Sequence, residues 1–165
     1  MGDAMDVRAA EEAEVGHLAK LWFDGWQDAH LKIVPAELAR LRTLESLASR
    51  MQVALSRVRV AGPRGAPVGF HLIKADELYQ FYVSAQARGT GIAAILIADA
   101  ETRLREAGVE TAWLGCAIGN DRAARFYEKC GWHRIGTVIE RLETSSGEFP
   151  LEVWRYEKAL APARA

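Results

Sequence analysis

The pattern of apolar and polar positions is clearest over residues 78–106, where a strand, a turn and a helix follow one another. Residues 78–83 are aromatic or branched and predict a buried strand. From Ile92 the apolar side chains recur at the spacing of one helix face, and Gly108 stands where a helix stop is expected. The turn between them, residues 86–91, contains two glycines. A glycine turn before a helix predicts an anion site, because free amides and the helix dipole attract negative charge and a phosphate can approach closely.

The same patterning predicts elements on both sides of this stretch. Further helices are expected at residues 11–28, 35–55 and 121–130, and further strands at 6–9, 58–61, 68–73, 111–116, about 134–142 and about 151–157. Pro35 can open the second of these helices, because proline is tolerated in the first helical turn. A chain of 165 residues suits a single domain that can bury a core.

Composition narrows the classes of function. The formal charge is −1, with 21 basic and 22 acidic side chains interspersed, so no basic stripe suggests nucleic acid. The apolar runs are too short to span a membrane, and the N-terminus has no signal-peptide form. Cys116 and Cys130 lack the spacing of a zinc site or a redox pair. We therefore expect a cytoplasmic protein that uses no metal and binds neither nucleic acid nor a membrane.

Two segments carry a resemblance to a known family. The motif Gln86-x-x-Gly89-x-Gly91, after a strand that ends in Phe81-Tyr82-Val83, is similar to the acetyl-CoA motif of the Gcn5-related N-acetyltransferases, the GNAT family. Residues 120–132 resemble that family's Asn, Ala, aromatic-Tyr and Gly-Phe signature, with Trp132 in place of Phe. The two segments occur in the family's order, and the resemblance covers roughly residues 68–156.

The resemblance implies both a fold and an activity. The fold would be α/β, a mixed, twisted sheet of about seven strands with helices on both faces and central parallel strands that splay to admit the cofactor. Residues 1–165 would form one domain, with acceptor-side helices at about 11–55, an acetyl-CoA core at about 68–132 and a C-terminal hairpin at about 134–157. The activity would be direct transfer of an acetyl group from acetyl-CoA to a primary amine of a small molecule or peptide. A homodimer is left open.

The family's cofactor contacts can be carried over to this chain. The turn and helix start that would hold the pyrophosphate comprise Arg88, Gly89, Thr90, Gly91, Ile92 and Ala93. Alternatively, Arg88 is a solvated arginine on the surface. The peptide-like pantetheine arm would pair with the strand edge at Phe81, Tyr82 and Val83, like an added strand. Asn120 would bond the same arm, or else would only cap the helix that follows it.

The glycine turn also fits a rival pattern, the dinucleotide motif G-x-G-x-x-A. That motif requires an acidic residue about twenty positions later, at the end of the next strand. Glu110 has the spacing but precedes its strand. The chain also offers one strand-helix-strand crossover where the dinucleotide fold uses several. Acetyl-CoA is therefore the favoured cofactor.

Acetyl transfer needs a neutral amine, a donor for the charge that develops on the carbonyl oxygen, and a proton for the departing thiolate. Tyr127, seven residues after Asn120, stands where the family has its general-acid tyrosine; otherwise its ring packs in the core. Glu77 stands where some family members carry a catalytic glutamate; otherwise it is a solvated strand end. His71 is the second choice for the base. The family's ribosomal-protein alanine acetyltransferases carry a glutamate where this chain has Gly115.

An acceptor site is suggested by Trp22, Trp26 and His30, which lie four residues apart on one stripe of the first helix. An aromatic wall with one imidazole would suit a cation or an apolar amine, and we assign acceptor binding to Trp26 and His30. The alternative is that the tryptophans belong to the core. A sensor that binds acyl-CoA without turnover is a second hypothesis for the whole chain. Tyr127 favours turnover, because a mere binder needs no acid.

Overall fold

The computed structural model describes residues 6–160 as a seven-stranded sheet with five helices. The strands are β1 (Val7–Ala9), β2 (Val58–Ala61), β3 (Gly69–Lys74), β4 (Glu77–Val83), β5 (Thr111–Ala117), β6 (His133–Thr144) and β7 (Gly147–Ala159). The helices are α1 (Val15–His30), α2 (Ala36–Leu41), α3 (Leu44–Ala54), α4 (Ile92–Glu106) and α5 (Asp121–Lys129). The predicted domain ends, residues 1–5 and 161–165, lie outside the described residues. The predicted α/β fold is confirmed.

The strand order β1-β2-β3-β4-β5-β7-β6 makes the sheet mixed. Each neighbouring pair is antiparallel except β4 and β5, which are parallel. In the described chain these two share one registered pair, Glu77 with Trp113, and then diverge. Strand β4 stays paired to β3 as far as Val83. The predicted splay is therefore present, and the edge of β4 that faces β5 has free backbone groups beyond Glu77.

Helices cover both faces of the sheet, as expected. On one face α1, α2 and α3 contribute to a core that includes Leu18, Trp22, Leu38, Leu47, Met51, Val60, Phe70 and Leu72. On the other face α4 and α5 contribute to a core that includes Ile97, Ala100, Leu104, Ala112, Leu114, Ala124, Trp132 and Tyr156. Apolar burial on each face stabilises the sheet by about 25 cal/mol per Å² of apolar surface removed from water.

The predicted helix over residues 35–55 is wrong in one respect, since it is two helices. The chain leaves helical geometry at Arg42, and Thr43 begins the next helix as its N-cap. The Thr43 hydroxyl accepts from the Ser46 amide at 3.0 Å, and the Ser46 hydroxyl accepts from the Thr43 amide at 3.1 Å. These reciprocal bonds satisfy backbone donors that a helix start leaves open. The break turns Arg42 into the interior, where its side chain is 4% exposed.

A bulge interrupts the pairing of β4. Leu72 pairs with Gln80 and Ile73 pairs with Leu78, so Tyr79 is an extra residue on β4. Bulges bend a strand and redirect its side chains. Here the bulge lies just beyond the single β4–β5 pair, where the two strands separate.

No helix among residues 6–160 is long and apolar enough to cross a membrane. The cytoplasmic location stays a prediction.

Candidate active site

A cavity of about 370 Å³ lies beside the free edge of β4, between α1, the start of α4 and α5. Eight of the predicted cofactor residues line it: Phe81, Tyr82, Val83, Arg88, Gly89, Gly91, Ala93 and Asn120. The side chains of the other two predicted residues, Thr90 and Ile92, do not line this cavity. The Thr90 hydroxyl donates to the Ala87 carbonyl at 2.5 Å, and the Ile92 side chain is packed in the core. The structure thus brings most of the predicted cofactor residues to one cavity.

The glycine turn has the geometry of an anion cradle. Gly89 and Gly91 have φ angles of +78° and +89°, a left-handed conformation that favours glycine. Gly91 is the N-cap of α4, and no side chain caps this helix. The amides of its first turn have no partners within the helix. They are free to bind an anion, and the helix dipole strengthens the attraction.

Positive charge lies at the rim of this cavity. Arg88 and Arg122 both bind the carboxylate of Asp28, at 2.8 and 2.9 Å. These two guanidinium groups hold the pKa of Asp28 below its ordinary value. Two cations against one carboxylate leave the rim positive. Arg88 therefore has a protein partner here, although its position also suits contact with a phosphate.

Asn120 both caps α5 and lines the cavity. Its side-chain carbonyl accepts from the Ala123 amide at 3.4 Å, which is a long N-cap bond. An asparagine amide also carries two donors. None of the hydrogen bonds between residues 6 and 160 engages these donors. Capping and cofactor binding can therefore coexist at Asn120.

Tyr127 lies where the cofactor cavity meets a second cavity of about 120 Å³. Its ring packs edge-on against Phe81 and Trp132, with centroids 6.4 and 6.5 Å apart. Burial raises the pKa of the Tyr127 phenol above its ordinary value, so the hydroxyl stays protonated at neutral pH. Within residues 6–160 that hydroxyl makes no hydrogen bond. A protonated, unengaged hydroxyl at the junction can donate to a reacting atom.

The second cavity shares five lining residues with the first: Phe81, Tyr82, Asn120, Ala123 and Tyr127. Trp26 and His30 both line it. His30 stacks on Trp26 with centroids 5.2 Å apart, and its Nδ1 lies 3.2 Å from the Trp26 carbonyl oxygen. Burial lowers the pKa of His30 to about 4, so the imidazole is neutral near pH 7. Trp26 is also a member of the core, with 6% of its surface exposed. Trp26 and His30 thus both line a cavity, and Trp26 also packs in the core.

Two carboxyl groups meet where β4 and β5 begin to separate. The Glu77 side chain is 8% exposed and hydrogen-bonds Glu140 of β6. Burial, followed by the hydrogen bond and the charge of Glu140, raises the pKa of Glu77 well above its usual range. Glu140 lines the second cavity, whereas Glu77 does not. A β-carbon at position 115 would overlap the Glu140 carboxylate, so Gly115 makes room for it.

His71, the second choice for the base, is not in either cavity. Its Nε2 binds Asp99 of α4 at 2.8 Å, and Arg59 binds the same carboxylate at 2.9 Å. The side chain therefore points to the α4 face of the sheet, away from the second cavity.

Three charged residues of the second cavity were missed by the sequence reasoning: Glu140, Arg42 and Arg50. Glu140 had a readable signal, because it shares a strand face with Val138 and Leu142, and a carboxylate on an apolar face is unusual. The Thr43-x-x-Ser46 cap was also readable and would have ended the preceding helix at Arg42. It was missed because the regular spacing of leucines continues across this cap and favours one uninterrupted helix.

Comparisons with known proteins identify the family of the chain. A family model described as "Acetyltransferase (GNAT) family" matches residues 19–132. The chain is 34% identical over 114 residues to "Uncharacterized N-acetyltransferase Rv2669" of Mycobacterium tuberculosis, covering 66% of this chain and 70% of the relative.

Solved structures share the fold. A GCN5-related N-acetyltransferase of Rhodopseudomonas palustris has a TM-score of 0.72 at 18% identity, over 94% of this chain and 95% of that one. The PaiA N-acetyltransferase of Thermoplasma acidophilum, solved in complex with coenzyme A, has a TM-score of 0.62 at 20% identity, over 93% and 98%.

The family match spans most of the chain, so this protein belongs to the GNAT acetyltransferases. It is an acyltransferase, and more narrowly an N-acetyltransferase that uses acetyl-CoA.

Proposed function

We propose that the protein moves an acetyl group directly from acetyl-CoA to a primary amine of a small molecule or peptide. The observation that carries the proposal is the junction of two cavities at Tyr127. The larger cavity ends in the free amides of α4 and would take the donor. The smaller one is lined by Glu140, the partner of Glu77, and would take the amine. A donor and an acceptor that enter from different sides can react without an acylated enzyme.

The donor would be held by groups that fit its parts. The α4 amides after Gly91 and the positive rim at Arg88 suit a pyrophosphate. The free edge of β4 at Phe81, Tyr82 and Val83 suits the amide-containing pantetheine arm. When bound, acetyl-CoA supplies a thioester whose carbonyl carbon can be attacked by an amine.

The proton transfers can be assigned to Glu140 and Tyr127, which both line the smaller cavity. The amine forms a bond to the acetyl carbon, the carbon–sulfur bond breaks, and the amine loses one proton. Glu140, whose carboxylate lines this cavity beside the buried Glu77, would accept it. Tyr127 would donate its phenol proton to the departing sulfur and regain a proton from solvent as the products leave, while Glu140 releases its own to solvent. The burial that raises the phenol pKa would also raise the basicity of a thiolate beside it.

Cys116 also lines the smaller cavity and could in principle take the acetyl group first. Burial raises the pKa of its thiol to about 12. Thiolate is the nucleophilic form, so very little would be reactive near pH 7. This favours direct transfer.

The carboxyl pair predicts a specific pH dependence. Burial, the hydrogen bond to Glu140 and the charge of Glu140 raise the pKa of Glu77. Among the other neighbours, Lys74 lowers this pKa and Asp76 raises it. Glu77→Gln should therefore move the acidic limb of the kcat/KM profile to lower pH and lower the rate near neutrality. Glu140→Gln should abolish that limb. Profiles that match wild type in both variants would assign the base to water and an already neutral amine.

The pair also predicts a stability effect that does not depend on turnover. The folded-state pKa of Glu77 lies above its ordinary value of 4.5, so its stabilising contribution is complete below that value and is lost as pH rises. Gln cannot titrate. The Tm of Glu77→Gln minus the Tm of wild type should therefore increase from about pH 5 to about pH 9. A constant difference would contradict the buried pair.

Trp26 and His30, the two proposed acceptor-binding residues, should respond differently to truncation. Trp26→Ala should lower the Tm by several degrees, because truncation of a buried tryptophan costs about 3–5 kcal/mol. It should also change the acceptor KM or the preference among amines. His30→Ala should raise the acceptor KM with a smaller loss of Tm, and the acetyl-CoA thermal shift should persist in both. Unaltered acceptor kinetics in both variants would leave the stripe a role in the core alone.

The proposed transfer itself is tested by thiol release from acetyl-CoA across a panel of amines, amino acids, polyamines, aminoglycosides and peptides. Release that depends on one class of amine, with an N-acetylated product by mass, supports it. Acetyl-CoA binding with no release for any class would favour the acyl-CoA sensor.

A further inference from the structure

The smaller cavity is lined by two arginines as well as by Glu140. Arg42 follows α2, and Arg50 lies on α3. Both line the cavity, together with Trp22, Trp26 and His30. Two arginines are unexpected in a site proposed to receive a protonated or newly neutral amine, because they would repel its positive charge. The groups that pair with the arginines therefore decide what this end of the cavity can bind.

Neither arginine has an ion pair among the described residues. Arg42 donates from Nη1 to the backbone carbonyl of Glu143 at 2.5 Å, and its buried Nε has no partner. Arg50 donates to the Tyr79 hydroxyl at 2.9 Å and lies over the Trp22 ring, 4.7 Å from its centroid. The Glu143 carboxylate is nearby but pairs with Lys74 at 3.1 Å. The carboxylate nearest to the two arginines is therefore already paired with another cation.

This arrangement is costly without a further anion. A buried charge needs a partner of opposite sign and full hydrogen bonding. Burial and the charge of Arg50 lower the pKa of Arg42 to about 10. Guanidinium groups match carboxylate and phosphate oxygens through paired, charge-assisted hydrogen bonds. The arginine end of the cavity is therefore suited to an anionic group of a ligand.

The two charged ends of the cavity are separated along β6. Arg42 contacts the backbone of Glu143, three residues from Glu140 on the same strand. Three residues of a strand span roughly 10 Å. An amine beside Glu140 and an anion beside Arg42 would thus be several bonds apart in one molecule.

We propose that the acetyl acceptor is an amine with a remote carboxylate or phosphate, which Arg42 and Arg50 bind. This inference rests on the proposed transfer and specifies its substrate class. The competing explanation is structural, with Arg42 only tying the α2–α3 turn to β6. A structural arginine would affect all acceptors alike, whereas a binding arginine would affect only those that carry the anion.

The test compares acceptors that differ only in charge. The pairs are 6-aminohexanoate with 6-aminohexanamide, and 6-aminohexyl phosphate with 6-aminohexanol, assayed by thiol release. The anionic member of one pair should have a kcat/KM about 10- to 100-fold higher, the range of one or two charge-assisted hydrogen bonds. Whichever pair shows the preference identifies the anion. Glycine, whose charges are adjacent, should be a poorer acceptor than 6-aminohexanoate.

Variants separate binding from structure. Arg50→Gln and Arg42→Gln should raise the KM of the anionic acceptor about tenfold and leave the kcat/KM of the neutral analogue nearly unchanged. Arg40→Gln, an exposed arginine of α2 outside both cavities, is the control and should match wild type. Equal kcat/KM within both pairs, or equal losses for both members in both variants, would overturn the inference.

A binding measurement separates this inference from the transfer reaction. Tryptophan fluorescence would be titrated with N-acetyl-6-aminohexanoate, its neutral amide and the two corresponding phosphate-series compounds. Tighter binding of an anionic member in wild type, lost in Arg50→Gln, supports the arginine site even if no amine is acetylated. No preference in any pair overturns it, whatever the activity.

Discussion

Tyr127→Phe should lower kcat by roughly 100-fold or more, the low end for loss of a general acid. The substitution removes only a hydroxyl that makes no hydrogen bond within residues 6–160, so the ring contacts with Phe81 and Trp132 should persist. The Tm and the acetyl-CoA thermal shift should therefore change little. The measurement is thiol release at saturating acceptor and donor, with the thermal shift measured in parallel.

Tyr156→Phe is the matched control. Its ring lies 6.2 Å from that of Tyr127, but its hydroxyl binds Glu128 at 2.6 Å and it lines neither cavity. It should lose some stability and keep its kcat. Wild-type turnover in Tyr127→Phe would reassign Tyr127 to the core and leave the departing thiolate to solvent.

Gly89→Glu should abolish the thermal stabilisation by acetyl-CoA. A ligand at about 100 times its Kd stabilises the folded state by about 2.7 kcal/mol, which is several degrees of Tm for a domain of this size. A glutamate at position 89 adds bulk and negative charge beside the α4 amides, where a pyrophosphate would bind. The measurement is the Tm with and without acetyl-CoA.

A backbone control is needed, because Gly89 has a positive φ and any side chain there is strained. Gly147, in the β6–β7 turn, has a φ of +95° and open space around its α-carbon. Gly147→Glu should lower the Tm for the same backbone reason and keep the full acetyl-CoA shift. A full shift in Gly89→Glu, or stabilisation of wild type by NADH and not by acetyl-CoA, would contradict the cofactor site.

Much of the cofactor side could be predicted because its determinants are local. The glycine turn and the start of α4 are adjacent in the chain, and the conformation that Gly89 and Gly91 adopt is a property of those residues. Asn120 and Tyr127 lie on one short helix, so their spacing determines their relative positions. The break at Thr43 was also local and was missed only because the apolar spacing continued across it.

The acceptor side depends on contacts between distant segments. Glu77 of β4 and Glu140 of β6 meet although β5 and β7 lie between their strands, because Gly115 of β5 leaves room for the Glu140 carboxylate. Arg42 reaches the cavity only because its helix ends beside β6. No spacing in the sequence predicts either approach, since each depends on strand order and on how the helices pack.

The sequence by itself therefore determined the family and most of the elements, and it predicted an anion-binding turn, because these features rest on short-range backbone preferences and apolar periodicity. The tertiary structure alone decided which charged groups meet at the smaller cavity. There Glu140 lies against the buried Glu77, and Arg42 is buried with no ion pair among residues 6–160. The physical reason is that desolvation and charge pairing arise from the groups that folding brings together, not from neighbours along the chain.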